Sequence, residues 1–188
     1  MATIESFSTQ KNENDRPVAY RLRNEEDVRS ITHYALNGNT EKRPVFSSSR
    51  GFTSSTKDAD MISEEILMVQ DLHRKKTGIR IRAETVRIGK EELGNDKLCE
   101  VKEIADGLGG YYLGLGHQVA YGIYYHGCLY EIRYAINPVS FADGSKYRYN
   151  KHSVHDQEEM CLATIIADTT GRNIPDEKRF DFEKLENY

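Results

Sequence analysis

Apolar residues in this chain recur at two periods, and the switches between them lay out its elements. Val28, Ile31 and Ala35 return at helical spacing behind Asn24, which can cap a helix with Asp27 three residues on, and this predicts a helix over Glu25–Leu36. Ile62, Ile66, Val69 and Leu72 predict a second helix, opened by Ser55 and Asp58 as a capping box. Leu98, Val101, Ile104, Ala105 and Leu108 predict a third, which the glycine run over 107–116 ends. Met160, Ala163, Ile166 and Ala167 follow Ser153 and Asp156 as a last helix. At period two, Val18, Tyr20 and Leu22 predict a first strand. Residues 79–88 alternate until the apolar parity flips at Val86 and Ile88, the mark of a bulge or of a strand buried on both faces. Residues 117–126 and 129–141 read as two strong strands, and Asp143-Gly144 as a second hairpin turn leading to Tyr147 and Tyr149. Between the first two helices, residues 38–57 read as a loop with a short strand at Val45 and Phe46. The order predicts an α+β fold, a central, mainly antiparallel sheet flanked by helices. Residues 1–16 read as a flexible polar tail, 17–171 as the domain, and 172–188 as a charged peripheral tail.

The hairpin carries the most chemistry. With Gly127-Cys128 as a two-residue loop, counting outward sets Tyr125 opposite Tyr130, Tyr124 opposite Glu131, Ile123 opposite Ile132 and Gly122 opposite Arg133. Side chains alternate, so Tyr124, His126, Glu131 and Arg133 share one face. Either Glu131 and Arg133 form an exposed ion pair of little consequence, or an imidazole, a carboxylate, a phenol and a guanidinium build a polar site on the sheet.

Composition narrows the setting. The 188 residues carry 26 Lys+Arg against 30 Asp+Glu, a net charge of −4, which excludes a generally basic nucleic-acid coat protein. No window has the length and hydropathy of a membrane span, residues 1–15 lack a signal-peptide core, and a cytoplasmic protein without membrane partners is expected. Cys99, Cys128 and Cys161 are too dispersed for a disulfide framework or a zinc site. The glycine run follows a helix and enters a strand, the reverse of a phosphate loop's order. Basic residues cluster nonetheless: Arg50 in the Ser-rich loop; Arg74, Lys75, Lys76, Arg80 and Arg82 in one segment; Lys146 and Arg148 beyond the Asp143 turn. Such patches suffice for phosphate contacts.

From Val18 to about Gly171 the sequence resembles the N-terminal domain of plasmid and integrative-element relaxases, the mobilisation nucleases of the HUH superfamily. The resemblance rests on Ile31-Thr-His-Tyr34-Ala-Leu-Asn37, Ser63-Glu-Glu-Ile66, Lys76-Thr-Gly78 ahead of a strand, the amphipathic helix over 98–108, and the run from Tyr130 through Asn137-Pro-Val-Ser-Phe141-Ala-Asp-Gly144 to Tyr147. It implies an antiparallel sheet flanked by helices and strand-specific nicking of DNA at a transfer origin, by a tyrosine that stays joined to the 5′ end while a histidine-held divalent cation polarises the phosphate. Tyr34 matches that nucleophile. The three hairpin positions where the family has histidine are Tyr124, Glu131 and Arg133 here, and a further family histidine falls near Glu84. Two readings of the resemblance follow. In one, Tyr34 nicks DNA, Glu131 and His126 hold Mg²⁺ or Mn²⁺, and Arg133 steadies the phosphate. In the other, the chain is a relaxase-fold DNA-binding or regulatory protein without nuclease activity. A small α+β protein of unrelated function is the third reading. Under the first two, single-stranded or hairpin DNA is the partner, other mobilisation proteins act beside it, and no helicase or primase domain is fused to the chain.

Overall fold

The computed structural model describes residues 2–6, 10–11, 17–18, 22–38, 42–53, 57–147 and 153–187. In chain order the elements are β1 (Thr3–Ser6), β2 (Gln10–Lys11), β3 (Pro17–Val18), α1 (Glu25–Leu36), β4 (Phe46–Arg50), α2 (Ala59–Leu72), β5 (Arg82–Gly89), α3 (Lys97–Gly114), β6 (Val119–Tyr125), β7 (Leu129–Ile136) and α4 (Ser153–Thr170). Five strands form an antiparallel sheet in the order β1-β5-β7-β6-β4, and β2 pairs with β3 apart from it. The fold is α+β, as the element order predicts.

Helices cover both faces of the sheet. On one side α1 and α2 pack Val28, Ala35, Leu36, Ile62 and Ile66 on Ala120 and Ala135. On the other, α3 and α4 pack Ile104, Leu108, Tyr112, Cys161 and Leu162 on Val86, Ile88, Tyr121, Ile123, Ile132 and Tyr134. Strand β5 is therefore buried on both faces, and its register with β7 runs from Arg82↔Ile136 to Gly89↔Leu129 without a bulge. That accounts for its double apolar parity.

Local signals set most boundaries. Asn24 and Asp27 cap α1 reciprocally, at 2.7 and 2.9 Å. Asp58 caps α2 through the amides of Asp60 and Met61, and Ser55 lies outside the described residues. Helix α3 runs through the glycines expected to end it, because close packing uses them inside the helix. A Cβ on Gly107 would sit 3.0 Å from Ile165 Cγ2 of α4, and one on Gly109 3.4 Å from the Tyr121 ring.

Both termini depart from expectation. Thr3–Ser6, read as part of a tail, pairs with β5 and covers an edge that would otherwise leave its backbone groups open. Beyond residue 172 the Phe180 ring lies 5.3 Å from that of Tyr111, and Leu185 covers Gly114. The expected strand after Asp143 reduces to one bridge, Val139↔Lys146, and Tyr149 lies outside the described residues, as does Tyr20 of the first expected strand.

Candidate nucleic-acid interface

The hairpin has the register that counting gives: Tyr125↔Tyr130, Tyr124↔Glu131, Ile123↔Ile132 and Gly122↔Arg133, closed through Gly127 at φ 70°. Gly122 then does what no other residue can. A Cβ there would overlap the carbonyl oxygen of Ala35, so its absence lets the end of α1 lie directly on β6. One pleat on, the Tyr124 hydroxyl donates to the carbonyls of Tyr34 and Ala35, both at 3.0 Å. These contacts bring Tyr34 over the centre of the sheet.

Arg133 fills the space beneath. Its guanidinium carbon lies 4.1 Å from the Tyr34 ring centroid and 3.9 Å from that of Tyr124, so the cation is held between two π-faces. Arg133 Nε donates to Glu131 Oε1 at 2.6 Å, while Arg87 Nε, from the neighbouring β5 residue, donates to Glu131 Oε2 at 3.2 Å. Burial pushes the Glu131 carboxyl up, but the Arg133 hydrogen bond and charge, with that of Arg87, outweigh it and hold it below its ordinary value. Lys42 Nζ lies 3.0 Å from His126 Nδ1. An ammonium only donates, so Nδ1 accepts and the ring proton sits on Nε2, 3.8 Å from Glu131 Oε1. Burial raises the Tyr34 phenol above its usual range, against the opposing pull of Arg133.

This set does not fit a divalent cation. Both Glu131 oxygens already accept from guanidinium groups, His126 meets an ammonium, and Tyr124 spends its hydroxyl on two carbonyls. Among the described residues, Arg133 and Arg87 hold Glu131 and Lys42 stands beside His126, a set that disfavours Mg²⁺ or Mn²⁺ and favours an anion. Arg133 Nη1 and Thr85 Oγ1, on paired residues of β7 and β5, are buried without a hydrogen-bond partner. Glu84 lies on the other face, accepting from Tyr112 and paired with Arg82, so it adds nothing beside Tyr34. Among the described residues no group of three or more His, Cys, Asp or Glu is arranged to hold a metal ion.

Tyr34, Glu131, Arg133 and His126 thus come together, whereas the expected DNA-contacting residues scatter. Arg50 faces α3 and grips Asp106, with Nε donating to Oδ1 at 2.9 Å. Arg80 is buried, bound to the Gln70 side chain and, at 3.1 Å, to the Lys76 carbonyl. Arg82 is buried between Glu84 and Glu158 on the α3–α4 face. These three fasten the fold through those contacts. Lys75 and Lys146 gather with exposed Arg74 and Lys76 behind α2, where Lys76 pairs with Asp71 and Lys146 donates to the Thr77 carbonyl. They stand toward the Arg82 end of β5, about 17 Å along the strand from Arg87. Arg148 lies outside the described residues. Sequence reading leaves Lys42 and Arg87 out of the site. Parity alone did not say which face of β5 met Glu131, and nothing local tied Lys42 to the hairpin tip.

No family model, curated protein or solved structure matches this chain. No helix among the described residues is long and apolar enough to cross a membrane.

Proposed function

We propose that this chain binds the phosphodiester backbone of DNA, as a single strand or hairpin, across the α1–hairpin site, with Arg133 supplying the positive charge that a divalent cation supplies in the relaxases it resembles. The observation that carries this reading is the Arg133 guanidinium held between the Tyr34 and Tyr124 rings, with its Nη1 buried and without a hydrogen-bond partner. Lys42 is exposed and Arg87 partly so, at positions to meet phosphate oxygens; Arg133 is buried and acts through its field. The half-buried Tyr34 ring gives a base a surface to stack on. Binding is favoured over nicking because the Glu131 carboxylate, the one that would hold a cation beside Tyr34, is engaged by Arg133 and Arg87.

The experiment is a salt titration of binding to a short fluorescent single strand, followed by anisotropy. Lys42→Gln with Arg87→Gln removes two phosphate contacts and flattens the log–log salt slope by about 1.4. Arg50→Gln, on the opposite face, leaves the slope unchanged. Affinity that is indifferent to salt, or equal in the double variant and the wild type, overturns the proposal.

A further inference from the structure

At the end of the sheet away from the hairpin tip, two turns are pressed together. One closes α2 over residues 73–78, and the other follows β7 over residues 140–146. Gly144, at φ 69°, permits the contact, since a Cβ there would overlap the His73 ring. Lys146 donates to the Thr77 carbonyl across the junction, and a Cβ on Gly78 would lie 3.3 Å from Lys146 Nζ. The left-handed position after α2 holds Arg74, at φ 54°, the one described residue other than glycine with a positive φ. Against these turns lies Arg80, 4% exposed. Its Nε donates to the Gln70 side chain and its Nη1 to the Lys76 carbonyl at 3.1 Å, while Nη2 is buried without a hydrogen-bond partner.

The charges at this junction repel one another. Burial first, then the charges of Lys75 and Arg80, push the Lys146 ammonium below its ordinary range. The neighbouring acids are engaged elsewhere. Asp71 pairs with Lys76 at 3.0 Å, and Asp143 accepts from the Ser145 amide at 2.9 Å. Among the described residues no carboxylate pairs with Lys75, Arg80 or Lys146. Like charges gathered beside a buried, incompletely satisfied guanidinium oppose folding, and an anion seated among them relieves that opposition. We infer that Lys75, Lys146 and Arg80 form a second phosphate-binding subsite, with the two partly exposed lysines in contact and Arg80 acting through its charge. The phosphate belongs to the strand whose backbone also meets the Tyr34 site, so the inference rests on the proposed function. The subsite stands about 17 Å along β5 from Arg87, a span of about five nucleotides at a rise of about 3.4 Å each.

Two measurements on the full chain test it. Inorganic phosphate, titrated into isotope-labelled protein at constant ionic strength, is expected to move the amide resonances of residues 74–78 and 144–146. Lys75→Gln with Lys146→Gln removes those shifts. In the salt titration of single-strand binding, the same double variant flattens the log–log slope by about 1.4, and Lys75→Gln alone by about 0.7. Lys75→Gln leaves the thermal midpoint unchanged or raises it, because among the described residues that side chain fastens nothing and repels Lys146. Flattening here without flattening in Lys42→Gln with Arg87→Gln supports this subsite and removes the Tyr34 site; the reverse removes this subsite alone. No localised shift with phosphate, or a slope unmoved in both Lys75 variants, overturns the inference. Localised shifts with an unmoved slope assign the subsite to free phosphate and overturn its assignment to a strand.

Discussion

Glu158 gives the sharpest quantitative prediction. Its carboxylate is buried between α4 and β5, where it accepts from Arg82 and from the Tyr147 hydroxyl, each at 2.9 Å. Glu84, also buried, shares the same Arg82. Two carboxylates therefore compete for one guanidinium, and burial first, then the charge of Glu84, push Glu158 up from 4.5 to about 7 against the pull of Arg82 and Tyr147. A folded pKa above the unfolded one means the native state holds a proton that the unfolded chain has released. The contribution to stability is full below about pH 4.5 and is lost as pH rises to about 7. A shift of about 2.5 units at 1.36 kcal/mol per unit amounts to about 3 kcal/mol, or roughly 6–12 °C in Tm for a chain of this size. The perturbation is Glu158→Gln, which keeps an acceptor for Tyr147 and cannot ionise. The assay is urea unfolding of wild type and variant at half-unit steps from pH 5 to 8. Taking the difference between the two curves cancels the other titrating groups, including Glu131, whose lowered value acts in the opposite sense. The variant is expected to match the wild type within about 1 kcal/mol at pH 5 and to exceed it by about 2–3 kcal/mol at pH 8. Parallel curves, or a variant that is the weaker protein at pH 8, refute the argument.

Two further outcomes follow from the same structure. Arg82→Met leaves Glu84 and Glu158 buried without their cation and is expected to lower stability by about 3–5 kcal/mol, read by the same denaturant titration. Gly122→Ala sets a methyl against the Ala35 carbonyl and drives α1 off β6; a loss of about 1–3 kcal/mol is expected, with faster hydrogen exchange at the amides of α1.

Much of the fold and part of the site are legible in the sequence, for reasons that differ by residue. Asn24 and Asp27 act within one turn, so the start of α1 follows from local chemistry alone. The hairpin register follows from a two-residue loop and a period of two, which is why the common face of Tyr124, His126, Glu131 and Arg133 is as counted. The partners of Arg80 and Arg82 are not legible because a packed guanidinium and a solvated one look alike until the carboxylate or amide that holds it is placed, and Glu158 lies 76 residues from Arg82. The α3 glycines mislead because their use is tertiary: Gly107 meets Ile165 of another helix. Within the run that carries the relaxase resemblance most strongly, Asn137 is a buried junction. Its side chain accepts from Gln70 at 3.0 Å and donates to Gln118 at 2.9 Å, joining α2 to the start of β6. That residue secures the scaffold and stands apart from the surface expected to meet DNA.

We propose that the fixed Arg133 guanidinium, without a divalent cation, supplies the positive charge at the Tyr34 site. The most direct measurement compares wild type and Tyr34→Phe on single-stranded DNA in EDTA and in Mn²⁺, reading binding by anisotropy and covalent attachment by denaturing gel. The account predicts equal affinity in EDTA and Mn²⁺ and no protein–DNA adduct under either condition. Binding that requires Mn²⁺, or a 5′-linked adduct that disappears in Tyr34→Phe, contradicts it.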